Sequence, residues 1–302
     1  MMKKKAWSRW ILALAVVWPC MAVARDRVRE KENFDFDWKF ILNADDRANA
    51  GMQVSEAGWQ DVQLPHDWSI SQDFNPKLSG SNGHLPGGIG WYRKTFRVDK
   101  EDKGRRIAVL FDGIYSRSDV YVNGQHLGFR PYGFCYQEYD LTPYLNYGAE
   151  NVLAVRVNNP LEHDSVARWY TGAGIYRHAW LVKTAEVHVA SYGTYVTTPV
   201  VTAERAEVRV RTSVANEAER TKTLSVRQQI TDGEGRTVVQ SGKQALQVAA
   251  GQTADTEHTL KIPRPQLWDT EHPYLYTLHT AVYDGRKLVD TYETVFGVRT
   301  CE

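Results

Sequence analysis

The sequence predicts an all-β protein built from two successive β-sandwiches. Three observations carry that expectation. Short β-branched runs bounded by turn residues recur almost without interruption after residue 35. No amphipathic helix of more than about three turns can be written anywhere after the N-terminal segment. The composition also changes near residue 185: of the seven Trp outside the first 24 residues, only Trp268 lies beyond residue 183. With 302 residues there is room for two ordinary domains, each with its own core.

The first element is an export signal. Lys3, Lys4 and Lys5 form a basic start, Ile11 to Trp18 an apolar centre, and Ala22-Val-Ala24 a small-x-small cleavage site. Residues 1–24 are therefore expected to be removed, leaving Arg25 first and the protein periplasmic or extracellular. The apolar stretch from Trp10 to Ala24 is shorter than the roughly 20 residues a spanning helix needs, and Pro19 interrupts it. Cys20 follows Trp18-Pro19 and lacks the small residues expected before a lipidated cysteine.

Strand-like runs follow at Arg106-Ile-Ala-Val-Leu-Phe-Asp112, Ser118-Asp-Val-Tyr-Val122 and Asn151-Val-Leu-Ala-Val-Arg-Val157. Asn123-Gly124 predicts a two-residue hairpin into His126-Leu-Gly-Phe129, because a type I′ turn needs positive φ at both central positions. In the second half, Glu207-Val-Arg-Val-Arg-Thr-Ser-Val214 and Thr223-Leu-Ser-Val-Arg-Gln-Gln-Ile230 alternate as sheets with one wet face do. Asp232-Gly and Glu234-Gly turn the second run into Thr237-Val-Val239. Tyr274 to Tyr283, the turn Asp284-Gly285 and Lys287 to Phe296 close the series. About seven strands in roughly 110 residues is the size of an immunoglobulin-like sandwich, here without that fold's paired cysteines.

Between the halves lies Arg168-Trp-Tyr-Thr-Gly-Ala-Gly-Ile-Tyr-Arg-His-Ala-Trp-Leu181. Sugar-handling surfaces combine flat rings, which cover the apolar face of a pyranose, with planar charged donors for its hydroxyls. The same segment also fits a loop that turns at Gly172 and Gly174 and buries Trp169, Tyr170 and Tyr176 as packing. Other ligand classes are disfavoured. The net charge is +1 and no basic cluster interleaved with aromatics occurs, so a nucleic-acid surface is excluded. The nine His are scattered without metal-ligand spacing, and Cys135 and Cys301 are too few for a disulfide framework. No metal or cofactor is expected.

Taken in order, Leu64-Pro-His-Asp-Trp68, Leu85-Pro-Gly-Gly-Ile-Gly-Trp-Tyr-Arg-Lys-Thr-Phe96, Phe111-Asp-Gly-Ile-Tyr-Ser116, Tyr121-Val-Asn-Gly-Gln-His-Leu-Gly128, the segment from Arg168, Pro265-Gln-Leu-Trp268, Pro273-Tyr-Leu-Tyr276 and Phe296-Gly-Val-Arg299 form a recognisable series. It resembles the front of a glycoside hydrolase family 2 enzyme, of the β-galactosidase-like branch, over residues 33–302. The resemblance implies a jelly-roll sugar-binding domain at 33–184 and an immunoglobulin-like sandwich at 185–298. Residues 299–302 would then be the entry to a (β/α)8 barrel that the sequence does not contain. The implied function is the non-catalytic N-terminal part of an exported glycosidase acting on a β-linked oligosaccharide or glycoside. A free-standing carbohydrate-binding protein and a purely structural pair of sandwiches are the alternatives.

Retaining glycosidases need two carboxyl groups roughly 5–5.5 Å apart, and in the family that this chain resembles both glutamates come from barrel strands. No catalytic residue is therefore expected here. Asn216-Glu217 is expected in a solvated turn. Glu162 and Asp164 flank His163 without an evident activating partner, and Ser165 is too close in sequence to them to form a triad. The resemblance instead implies a pocket rim, matched by His66, Asp67 and Trp68 and by Arg168, Trp169 and Tyr170. Asp67 and Arg168 would bond hydroxyls and Trp169 or Tyr170 would stack; equally, Asp67 would cap a turn with His66 and Trp68 packed beneath it. Two family positions depart from pattern: an acidic sugar contact falls at Arg168 and an asparagine near Gly87.

Overall fold

The structure, a computed structural model, describes residues 28–42, 45–160 and 169–300. The export segment, Arg168, the Glu162–Ser165 stretch and Cys301 lie outside these residues. Among the described residues, helix is confined to short 3-10 turns, and the rest of the regular structure is strand.

Ten strands form the first sandwich: β1 (Glu30–Asn33), β2 (Trp38–Leu42), β3 (Gln60–Val62), β4 (Gly88–Arg97), β5 (Arg106–Phe111), β6 (Ser118–Val122), β7 (Gln125–Arg130), β8 (Gln137–Asp140), β9 (Glu150–Asn159) and β10 (Ala179–Thr184). They make a six-stranded sheet, β3-β2-β4-β9-β6-β7, facing a four-stranded sheet, β1-β10-β5-β8. The predicted hairpin is present: Asn123 and Gly124 take φ of 50° and 84°, and Val122 pairs with Gln125. Trp38, Tyr92, Phe111, Leu153 and Val155 meet in the core between the sheets.

The central strands of the larger sheet are buried on both faces. On the outer side Trp91, Tyr121 and Ala154 are covered by the turn around Ala50. That turn is tied down by Arg93, itself buried. Its guanidinium donates to the carbonyls of Asn49 (2.6 Å) and Gly51 (2.7 Å) and pairs with Glu56 at 3.0 Å. Burial on both faces explains why β9 reads as a continuous apolar run from Val152 to Val155 rather than an alternation, and why the buried stretch of β4 includes Arg93 and Lys94 on neighbouring positions.

The second sandwich comprises β11 (Val187–Val201), β12 (Arg205–Asn216), β13 (Lys222–Thr231), β14 (Thr237–Gln240), β15 (Gln244–Val248), β16 (Gln252–Pro263), β17 (Tyr276–Asp284) and β18 (Lys287–Phe296). A β11-β12-β16 sheet faces one in which β13 lies between β17 and the two short strands β14 and β15, with β18 outside β17. Because β14 and β15 pair with successive parts of β13, they act as one interrupted strand, so the expected seven become eight. The core is divided in two by polar residues: Gln228, on the inward face of β13, donates to Thr212 (2.9 Å) and accepts from Thr280 (2.7 Å), all three buried.

Ion pairs join the sandwiches. Arg29, just before β1, reaches Asp290 on β18 at 3.1 and 2.9 Å, and Arg106 on β5 pairs with Glu217 at 2.8 Å. Of the pair Asn216-Glu217, expected in a solvated turn, Glu217 is exposed as expected and only Asn216 is corrected. The Asn216 amide is buried and donates to the carbonyls of Arg220, Val248 and Ala249, while Glu217 serves the seam between sandwiches.

Candidate functional site

Two of the sequence landmarks, more than a hundred residues apart, are brought side by side. The peptide after β3 runs along the signature segment, with His66 N donating to Ile175 O (2.8 Å) and Trp68 N to Ala173 O (3.1 Å). Asp67 ties them together. Its Oδ1 accepts from the backbone N–H of Ser69 (2.9 Å) and Ala173 (3.0 Å), and its Oδ2 accepts from the Tyr170 hydroxyl at 2.6 Å. Burial, then the adjacent Asp67 carboxylate, push the Tyr170 phenol well above its ordinary range, so it stays protonated and donates.

Glycine is required where these segments cross. Gly174 has φ 117°, and a Cβ there would lie 2.7 Å from His66 O and collide with the Tyr92 hydroxyl. At position 87, where the resemblance places an asparagine, a Cβ would run into the Asn159 carbonyl; no side chain fits without moving β9.

His66 is half-buried, its Nδ1 2.7 Å from the Tyr92 hydroxyl and its ring edge-on to Phe40. Burial lowers its proton affinity, which keeps it neutral at neutral pH. Trp68 is 1% exposed and stacks on Phe40 with ring centroids 5.6 Å apart, both rings lying over Gly90. It has no face to offer a ligand, so as a rim contact it is corrected to a core residue. Trp169 and Tyr170 are 61% and 39% exposed.

Beside Trp169 opens a hollow of about 410 Å³. Its walls come from Leu78 to Gly87, Tyr115 to Arg117, Pro131 to Phe134, the end of β9 and the signature segment. The Phe134 ring lies 6.4 Å from Trp169, 5.1 Å from Tyr115 and 5.8 Å from Tyr132. Polar side chains Asn82, Asn159 and Thr171 interrupt the aromatic lining, Thr171 donating to Asn82 at 3.1 Å. Pro131-Tyr-Gly-Phe134 is the part of this site that sequence reasoning missed. Its signal was present: aromatic residues around a glycine in a connection between strands have no sheet to pack into. No Asp or Glu is among the described residues lining the hollow, and Asp67 beside it is engaged in three internal hydrogen bonds. Among the described residues no cluster of His, Cys, Asp or Glu is arranged to hold a metal.

Comparison with known proteins gives this fold a context. Residues 32–185 match the sugar binding domain of glycosyl hydrolases family 2, and residues 187–299 match a further domain of glycosyl hydrolases family 2. The chain belongs to glycosyl hydrolases family 2. Among family 2 relatives, it is 44% identical over 280 residues to the beta-galactosidase BoGH2A of Bacteroides ovatus, covering 90% of this chain and 32% of that protein. A beta-glucuronidase of Formosa agariphila is 33% identical over 298 residues, covering 90% of this chain and 30% of its own length. A family 2 crystal structure from Bacteroides cellulosilyticus superimposes with a TM-score of 0.80 at 38% identity, over 89% of this chain and 36% of that one. The family 2 chain described here thus spans about a third of the length of the curated relatives it matches.

Proposed function

We propose that the two sandwiches are the non-catalytic, carbohydrate-facing front of an exported β-glycosidase of the β-galactosidase or β-glucuronidase kind. In this reading the hollow beside Trp169 forms part of the wall that receives the sugar. The observation that carries it is the Asp67–Tyr170 hydrogen bond, which anchors the signature segment so that the neighbouring Trp169 stands exposed next to Phe134. An indole and a phenyl ring suit the C–H face of a pyranose, and the Asn82 and Asn159 amides suit its hydroxyls. Arg168 adjoins Trp169 in the signature sequence, and a hydroxyl-bonding role for it is part of this reading. Asp67 is the positioning residue of this wall, with its carboxylate given to the loop rather than to the ligand.

Hydrolysis is assigned elsewhere. A retaining mechanism needs a nucleophile and an acid/base about 5 Å apart, and the described lining of the hollow has no carboxylate. The family's catalytic glutamates belong to a barrel, so these sandwiches serve binding and placement. Purified protein of this sequence should release no chromophore from an aryl β-galactoside or β-glucuronide above the blank. Turnover that disappears on substituting a residue of this chain would overturn that assignment. Calorimetric titration with β-linked oligosaccharides should detect binding near a Kd of about 1 mM, some 4 kcal/mol, lost in Trp169→Ala. Export rests on residues 1–24. Secreted protein whose first residue is Arg25 is the expected product, and retention in the cytoplasm with Met1 intact would refute it.

A further inference from the structure

The ladder between β11 and β12 is interrupted between Val189 and Thr194. Tyr192 lies in this bulge with φ 54°, a left-handed conformation that glycine or asparagine adopts more readily. The backbone around it is held firmly. Tyr192 N donates to the Tyr292 hydroxyl on β18 at 3.1 Å, and a Cβ on the following Gly193 would lie 2.6 Å from the Ala190 carbonyl oxygen. The side chain is turned out of its own sandwich: it is 56% exposed and belongs to neither half of the second sandwich's apolar core.

Its ring and hydroxyl meet the first sandwich instead. The ring lies 4.6 Å from that of Tyr136 at an angle of 42°, and the hydroxyl reaches Asp112 Oδ1 at 3.5 Å. Asp112 is itself fixed, its Oδ2 accepting from the Trp180 indole at 2.9 Å. Tyr136 ends the connection between β7 and β8, the stretch that carries Tyr132 and Phe134 into the wall of the hollow. Two ties hold this connection ahead of Phe134. Arg117 N donates to Pro131 O at 3.3 Å, and the Tyr176 hydroxyl donates to Gly133 O at 2.9 Å. After Phe134, and before β8 begins at Gln137, Tyr192 is the one ring among the described residues that meets Tyr136.

We propose that Tyr192 is a positioning residue that the second sandwich supplies to the hollow of the first. Its ring clamps Tyr136, and through Phe134-Cys-Tyr136 the clamp sets where the Phe134 ring stands relative to Trp169, 6.4 Å away. The strained backbone at Tyr192 is then accounted for by where it sends the side chain. An aromatic wall fixed before a ligand arrives spares the complex the cost of ordering it. The second sandwich thus acts on the site while contributing none of its described lining. The consequence for binding rests on the sugar-binding reading above; the clamp itself does not.

Cys135, half-buried between Phe134 and Tyr136, is a native probe of the connection. Iodoacetamide labelling of the full chain, read by peptide mass spectrometry, follows it separately from any other cysteine. Tyr192→Ala should raise the Cys135 labelling rate and weaken calorimetrically measured binding of lactose or cellotetraose, each by about threefold to tenfold, the range of one aromatic pair. Tyr192→Phe should keep the parent values because it keeps the ring. Ala, Phe and Tyr all carry a Cβ, so the left-handed backbone is strained alike in the three and the comparison reads the ring alone. Tm should stay near the parent's in both variants, whereas a purely structural role would lower it in Tyr192→Ala. Tyr136→Ala removes the same contact from the other side and should match Tyr192→Ala, with the double variant adding nothing further; this arm remains if Tyr192→Ala misfolds. An unchanged labelling rate, or an unchanged affinity, in these alanine variants overturns the positioning role and leaves sugar binding standing. Binding of neither sugar by the unmodified chain overturns the sugar-binding reading, with the labelling rates still deciding the clamp.

Discussion

Replacing Asp67 with Ala removes the acceptor for three hydrogen bonds at once. Two of the donors are backbone N–H groups, on Ser69 and Ala173, residues that are fully buried. Each buried N–H left without a partner costs about 1–3 kcal/mol. The third donor, the Tyr170 hydroxyl, sits on a residue 39% exposed, so water replaces its partner at a loss of about 1 kcal/mol or less. The sum is roughly 2–7 kcal/mol, with its middle at about 4 kcal/mol. Asp67→Asn is the informative control, because its side-chain oxygen can still accept from both backbone groups and only the charged bond to Tyr170 is weakened. That variant should lose about 1 kcal/mol. Denaturant unfolding followed by tryptophan fluorescence reports the first sandwich selectively, since Trp268 is the one tryptophan of the second. A loss of about 4 kcal/mol should lower Tm by roughly 8–16 °C in a unit of this size. The reasoning fails if Asp67→Ala stays within about 1 kcal/mol of the parent, or if Asp67→Asn is as damaging as Asp67→Ala.

Three further outcomes are expected. Gly174→Ala should destabilise the first sandwich by about 2 kcal/mol or more, since the added Cβ meets the His66 carbonyl at 2.7 Å in a left-handed backbone; a thermal melt matching the parent would contradict this. Arg29→Ala strips the partner from Asp290, whose side chain is fully buried at the seam, and should cost about 3–5 kcal/mol, visible as earlier cleavage between the sandwiches in limited proteolysis; an unchanged digestion pattern counts against it. Burial and the charges of Arg106 and Arg29 push the His188 imidazole down to about 3 from its usual 6.5. Between those values the unfolded chain binds a proton that the folded one refuses, so His188 makes stability fall as pH falls, by up to about 1.4 kcal/mol per unit. His188→Gln should flatten the decline of Tm between pH 6.5 and 4, and an unaltered slope would show that this histidine is not the coupled group.

Some strands were legible and others were not, for reasons visible in particular residues. β12, β13 and β17 alternate openly because one face of each is wet. β16 escaped notice because its inward positions include Thr256 and His258 as well as Leu260 and Ile262, which blurs the period of two. β1 begins at Glu30, ahead of the expected start at residue 33, since an edge strand of charged residues carries no apolar signal. Asp67 and Tyr170 could each be singled out from the landmark motifs, but their bond spans 103 positions and no local pattern announces it. The hollow is harder still, being assembled from five separate stretches between Leu78 and Thr171.

The amino-acid sequence alone determined the all-β class, the Asn123-Gly124 hairpin, the order of the two sandwiches and the family. Each of these depends on residue type and short-range spacing, through side-chain periodicity, turn conformation and the succession of motifs. The tertiary structure decided which aromatic residues are core and which are surface. Trp68 and Trp169 both stand in signature motifs, yet one is packed on Phe40 over a glycine and the other faces solvent at the mouth of the hollow. Burial belongs to the whole packed arrangement, because a side chain is removed from water by neighbours that folding brings from distant parts of the chain.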